Sequence, residues 1–299
     1  IDNGLTPQNG KTFNRGEATR LPEKVGKPAF LAREASRFIR QNRNRPFALY
    51  VNFLEPHMPF FGPRDNQYPL DTIPLPSNLE NIPDATQPTK ARLLQAYYAR
   101  QGICRLPLIT EADWRRLRAN YWGLCSLVDT HIGTILKTLE ESGLDQNTII
   151  VFTSDHGDMM GAHRLVAKCV MFQEAIRVPF IVHLPGQRKQ KRITGPVSQI
   201  DVVPTLLDLL GQRIPDTLQG KSLRPVMETG PASLTDPVVI EWNGSNNGLG
   251  DVRNKVQFPD WMTELAPADK IRAGCSDPVR SVIRPDGWKY NASTIGEDE

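Results

Sequence analysis

Two short runs constrain this chain most: Phe47-Ala-Leu-Tyr-Val-Asn-Phe-Leu54 and Thr148-Ile-Ile-Val-Phe-Thr153. Both are nearly continuous in apolar and β-forming residues. A strand with one wet face alternates, so an unbroken run reads as a strand buried on both faces. Each run follows a stretch with helical period. From about Pro28 to Asn42, Leu31, Ala35, Phe38 and Ile39 share one face, and Arg45-Pro46 ends the pattern. From Glu111 to about Glu141, Trp114, Leu117, Tyr121, Leu124, Val128, Ile132, Ile135 and Leu139 recur in steps of three and four. Gly143 then supplies a helix stop. Val178-Pro-Phe-Ile-Val-His-Leu184 is a third strand candidate, and Asp201 reads as the N-cap of a helix over Val202–Leu210, closed by Gly211. Helix and strand in alternation predict an α/β fold: a mainly parallel sheet flanked by helices.

The remainder is less periodic. Residues 1–27 read as a polar surface loop. Residues 59–110 form an excursion that holds many of the 25 prolines, with a short helix around Lys90–Arg100. After Gly211 the pattern changes to short strands, Val238–Trp242, Ser281–Arg284 and Trp288–Asn291, with Asp286-Gly287 as a hairpin turn. Residues 1–211 are therefore expected to form an α/β core, and 212–299 a smaller, partly antiparallel C-terminal subdomain.

Several function classes fall away on composition. A net charge of +3 over 299 residues gives no concentrated basic face for nucleic acid. Cys104, Cys125, Cys169 and Cys275 form no CxxC pair, which argues against a structural zinc cluster. No apolar run approaches the roughly 20 residues of a membrane span.

Chemistry-bearing residues collect where strands end, which is where ligands bind in open α/β sheets. The first run delivers His57, held between prolines in Glu-Pro-His-Met-Pro, a rigid setting for an acid or base. The second ends in Asp155-His156-Gly157-Asp158. A carboxylate and an imidazole ahead of a tight turn suit a metal ion, although Asp155 could equally cap the turn. Lys168 follows within a short loop and could neutralise an anionic group in transfer, or be a solvated lysine. His131, inside the long helix, and His183, inside a strand, read as structural, and His163 has a weaker case. Asn243-Gly-Ser and Asn291-Ala-Ser match the glycosylation triplet.

Five ordered stretches carry a resemblance: 46–60 around Glu-Pro-His-Met-Pro, 151–168 around Ser-Asp-His-Gly-Asp, 174–182 around Ile-Arg-Val-Pro-Phe, 198–211 around Asp-Val-Val-Pro-Thr, and 280–290 around Arg-Pro-Asp-Gly-Trp. Together they resemble the sulfatase family, within the alkaline-phosphatase-like superfamily. The resemblance implies metal-assisted hydrolysis of a sulfate monoester, of a small molecule or a carbohydrate. It implies a divalent cation, usually calcium, and a formylglycine nucleophile made from Cys or Ser. Asp155 and His156 would be metal ligands, Lys168 would contact the sulfate, and His57 would contact the sulfate or protonate the leaving alcohol. It favours a periplasmic, secreted or lysosomal setting.

Two departures shape the expectation. Many sulfatases have Asn where this chain has His156. An imidazole leaves room for manganese or zinc, and for phosphate or phosphonate esters. The family's nucleophile motif, Cys or Ser-x-Pro-x-Arg, does not occur ahead of the His57 loop, where the family carries it. In Cys275-Ser-Asp-Pro278-Val-Arg280 the proline and arginine are misplaced when counted from Cys275; counted from Ser276 the spacing fits, but the segment follows the metal motif instead of preceding it. The chain is thus expected to be a fragment truncated at both ends, its parent a sulfatase, and by itself an inactive remnant or binding module.

Overall fold

A computed structural model describes residues 22–228, 234–244, 249, 250, 252 and 254–298. The chain divides into two compact units. One takes the described residues of Ile1–Ile82, Tyr97–Lys168 and Arg177–Gly186; the other takes those of Pro83–Ala96, Cys169–Ile176 and Gln187–Glu299.

Two helices organise the first unit. Helix α1, Lys27–Asn42, starts with proline in its first turn, where the missing N–H costs nothing. Its partner is the 31-residue helix Glu111–Glu141, called α3 below because Thr89–Gln101 forms α2. Helix α3 opens on a capping box: Asp113 N donates to Thr110 Oγ1 and Thr110 N donates to the Asp113 carboxylate at 2.8 Å. It ends at Gly143 with φ 69°, where Leu144 N reaches back to Leu139 O at 3.0 Å and Gly143 N to Glu140 O at 2.9 Å. That is the pairing of a left-handed glycine stop. Ala32, Ala35 and Ile39 of α1 meet Ile135 and Leu139 of α3, with Phe47, Val51, Phe53, Leu144 and Ile150 packed against them. Thr138 Oγ1 donates to Ser36 Oγ at 2.9 Å, so the polar pair inside this contact is satisfied.

Strand β1, Ile150–Thr153, pairs antiparallel with β2, Phe180–His183, in the register Ile150↔His183 to Thr153↔Phe180. The α/β class holds, but the expected parallel direction does not: every strand pair among the described residues is antiparallel. An apolar run encodes burial and leaves strand direction to the partner. Phe47–Leu54 is extended yet joins no ladder among the described residues. Phe47, Val51 and Phe53 turn toward the core, while Tyr50 is 88% exposed, so the run is covered on one side only.

The second unit contains Thr89–Ala96 of α2, helix α4 (Val202–Leu209), helix α5 (Ala268–Ser276) and a three-stranded antiparallel sheet. The sheet order is β3 (Val238–Trp242), β4 (Val279–Ile283), β5 (Lys289–Ser293). Leu93, Val252, Met262, Ala266, Ile271 and Cys275 form its core. The hairpin turn falls at Asp286-Gly287 as expected, with Gly287 at φ 91°. Asp201 is not the side-chain cap of α4. Its carboxylate accepts from Ser198 N at 3.1 Å and Lys221 N at 3.0 Å, which ties two loops together. Asn291 is buried and accepts from Ser281 Oγ at 2.6 Å, so it is a packing residue rather than an exposed glycosylation site. The triplet at Asn243 runs into residue 245, outside the described residues. Among the described residues, no helix is long and apolar enough to cross a membrane.

Candidate active site

The four candidate side chains all belong to the first unit. His57 follows the extended run in a turn closed by His57 N to Leu54 O at 3.1 Å. The same loop is pinned to α3: Phe60 is fully buried and its carbonyl accepts from Asn120 Nδ2 at 2.9 Å. His57 Nδ1 lies 2.9 Å from Met58 O. An Nδ1–H donated there leaves the lone pair on Nε2. Lys168 Nζ sits 2.9 Å from that Nε2, across 111 positions of sequence. The lysine donates, the imidazole accepts, and the remaining N–H groups of Lys168 are available to an anion.

Asp155 and His156 follow β1 directly. His156 Nδ1 lies 2.7 Å from Gly157 O, so the same logic leaves its Nε2 as an acceptor. That nitrogen faces Asp155 Oδ2 at 3.6 Å, and the Asp155 side chain is 85% exposed. Two acceptors facing each other call for a positive charge between them: a proton on the imidazole, or a cation. Metal–ligand distances of about 2.0–2.5 Å allow one ion to touch both atoms. The residues therefore fit two corners of a metal site. Among the described residues no cluster of three or more His, Cys, Asp or Glu completes it.

The segment after His156 is a strained, self-braced loop. Met160, His163, Arg164 and Ala167 have φ of 40°, 57°, 53° and 65°, a region that non-glycine residues avoid. Such strain persists only when the surroundings over-determine it, and it gathers at functional sites. Met159 N bonds Ala167 O at 2.8 Å and Gly161 N bonds Leu165 O at 2.9 Å. Asp158 Oδ1 accepts from Met160 N at 3.2 Å and Ala167 N at 2.9 Å. Arg118 Nη1 of α3 donates to Met160 O at 2.8 Å. His163 places Nδ1 2.8 Å from Asn81 O and Nε2 3.2 Å from Asn78 Nδ2, and Arg164 grips Glu80 with bonds of 2.8 and 2.7 Å. His163 thereby braces the loop.

Burial pushes the Asp158 carboxyl up to about 6, against the pull of the two backbone N–H groups and of Lys168 and His156. The sequence pattern assigns Asp158 no role, nor Arg118 and Asn120 of α3. A signal exists: Asn120 lies on the stripe between Leu117 and Leu124, where a polar residue must find a buried partner.

A family model for sulfatases matches residues 6–212, more than half of the chain. The chain belongs to the sulfatase family. It is 30% identical over 284 residues to the multifunctional alkaline phosphatase superfamily protein PehA of Trinickia caryophylli, covering 91% of this chain and 52% of that protein. It is 32% identical over 257 residues to arylsulfatase K of Gallus gallus, covering 83% and 44%. The chain spans about half the length of the curated relatives it matches. Among solved structures, a phosphonate monoester hydrolase from Silicibacter pomeroyi superposes with a TM-score of 0.71 at 25% identity, covering 93% of this chain and 56% of that one.

Proposed function

We propose that the protein carrying this sequence hydrolyses a sulfuric ester of a small molecule or carbohydrate, with residues 1–211 as part of its catalytic core. The contact between Lys168 Nζ and His57 Nε2 at 2.9 Å carries the reading. It assembles, from loops far apart in sequence, a cationic donor and an imidazole whose proton positions are set by the backbone. The transition state of sulfate transfer spreads negative charge over oxygens, and donors already in place cost no reorganisation when that charge appears. Lys168 holds sulfate oxygens. His57, fed a proton from Lys168 at Nε2, delivers it to the departing alkoxide. Asp155 and His156 hold the divalent cation, calcium by family usage, or manganese or zinc given the imidazole. When bound, that ion polarises a sulfate oxygen. The nucleophile of the reading is formylglycine, made from the Cys or Ser of a motif that these 299 residues lack ahead of the His57 loop.

A second reading, phosphonate or phosphate ester hydrolysis, is favoured by His156 and by the likeness to a phosphonate monoester hydrolase at 25% identity. Rates of the full-length protein on an aryl sulfate, an aryl phosphonate monoester and an aryl phosphodiester decide between them. The sulfate is expected to turn over fastest, with Asp155→Ala abolishing that turnover and Lys168→Ala lowering it by about 10²–10³. Faster phosphonate cleavage selects the second reading. Undiminished activity in both variants removes this site from the chemistry.

A further inference from the structure

Far from these motifs in sequence, Lys90 lines a cavity whose walls all belong to the second unit, among them Cys169, Phe172, Trp242, Asp277 and Glu297. Lys90 is only 9% exposed, and among the described residues it makes no ion pair or side-chain hydrogen bond. Its Nζ lies 4.3 Å from the centroid of the Trp242 ring. The carboxylates nearby are already engaged. Asp277 accepts from Ser293 Oγ at 2.6 Å and from Thr294 N and Oγ1 at 2.9 and 2.6 Å. Glu297 accepts from Thr89 N at 2.7 Å and Thr89 Oγ1 at 2.5 Å, with Lys270 Nζ at 3.4 Å.

We propose that Lys90 is a nucleophilic amine that takes a small apolar aldehyde as an imine in this cavity. An ammonium buried without hydrogen bonds is better off losing its proton, and a lysine so placed is the usual source of imine chemistry. An anion is the poorer occupant, because Asp277 and Glu297 already face the space. A neutral aldehyde meets no such repulsion, and the space of about 50 Å³ beside Phe172 and Trp242 suits one of about two carbons. The amine lone pair attacks the carbonyl carbon to give a carbinolamine. The hydroxyl leaves as water with protons from the nitrogen and the medium, and the C=N bond remains; nothing is oxidised or reduced. In its protonated form the imine keeps a positive charge over the Trp242 face, where the ammonium sits now.

Burial lowers the Lys90 amine to about 8, with Cys169, Cys275 and Asp277 pulling the other way. At pH 7.5 about one amine in four would be neutral, against about one in a thousand for a solvated lysine, a ratio on the order of a hundredfold. The test is reductive trapping of the 299-residue chain with acetaldehyde and cyanoborohydride at pH 7.5, followed by peptide mapping by mass spectrometry. Cyanoborohydride reduces imines and leaves thiol adducts at Cys169 untrapped. Mapping separates Lys90 from the chain's α-amine, which titrates in the same range. The expected result is an adduct at Lys90 at least tenfold ahead of the exposed lysines, half-maximal near pH 8, and gone in Lys90→Arg. Adducts spread over exposed lysines with Lys90 unmodified would overturn the proposal, and wild-type mapping alone can show this whatever the fate of the variant.

Discussion

Helix α3 contains two glycines, Gly123 and Gly133, and the structure sets opposite signs for the same substitution at each. Glycine inside a helix costs about 1 kcal/mol relative to alanine, so helix propensity favours both changes equally. At Gly133 a new Cβ meets nothing within 4 Å. At Gly123 it would lie 2.5 Å from the carbonyl oxygen and 2.9 Å from the carbonyl carbon of Arg64, at least half an ångström too close to backbone. That backbone has little freedom to retreat. Arg64 donates to Glu23 at 2.9 and 2.6 Å, and through Nη1 to Ser126 O at 2.8 Å and Thr130 Oγ1 at 2.9 Å. Overpacking of this kind costs about 1–3 kcal/mol. Gly133→Ala is expected to stabilise by about 1 kcal/mol, and Gly123→Ala to be neutral or to destabilise by about 2 kcal/mol. The propensity gain cancels between the two variants, so their difference, about 1–3 kcal/mol, reports the steric contact alone. Urea unfolding midpoints at constant m-value measure it. If both variants gain stability to the same extent, the Arg64 carbonyl is not against α3 and the placement of the loop following His57 is wrong.

Other perturbations follow from single contacts. Ile39→Ala removes a fully buried side chain from the contact of α1 with α3, and a loss of about 2–5 kcal/mol in unfolding free energy is expected. Asp158→Ala orphans the N–H groups of Met160 and Ala167, at about 1–3 kcal/mol each; Asp158→Asn keeps an acceptor and should retain most of the stability, which proteolysis of the 158–168 loop can compare. Lys168→Met in the full-length protein should lower kcat on its sulfate ester by about 10²–10³, the scale for losing one transition-state donor, with metal content unchanged. Lys90 has a folded value of about 8 against 10.5 unfolded. Its burial penalty is whole below pH 8 and fades as pH rises toward 10.5, so wild-type stability relative to Lys90→Met should rise across that window by about 3 kcal/mol.

Local order is legible in the residues themselves. The capped helix Glu111–Glu141, the glycine stop at Gly143 and the Asp286-Gly287 turn depend on neighbours within a few positions, and all three stand where the pattern places them. The loop bearing Asp155-His156 is legible for the same reason, since the end of β1 is marked by a break in composition; the run before His57 reads as a strand but joins no ladder among the described residues. Asp201 stands at the N-cap position as the pattern places it, but its carboxylate answers to Ser198 N and to Lys221 N, twenty positions on, and not to the helix that follows it.

By itself the sequence determined the helices, the turns, the α/β class and the ordered motifs that place the chain among sulfatases, because each is written in residues adjacent along the chain. Tertiary structure alone decided three things. Among the described residues the strands pair antiparallel, because direction belongs to the partner and not to the apolar run. Lys168 meets His57, because α3 braces both loops through Asn120 and Arg118. Lys90 loses its solvent, because the sheet β3-β4-β5 and α2 close around it. Burial and contact across long stretches of sequence are properties of the folded chain, and no local pattern states them.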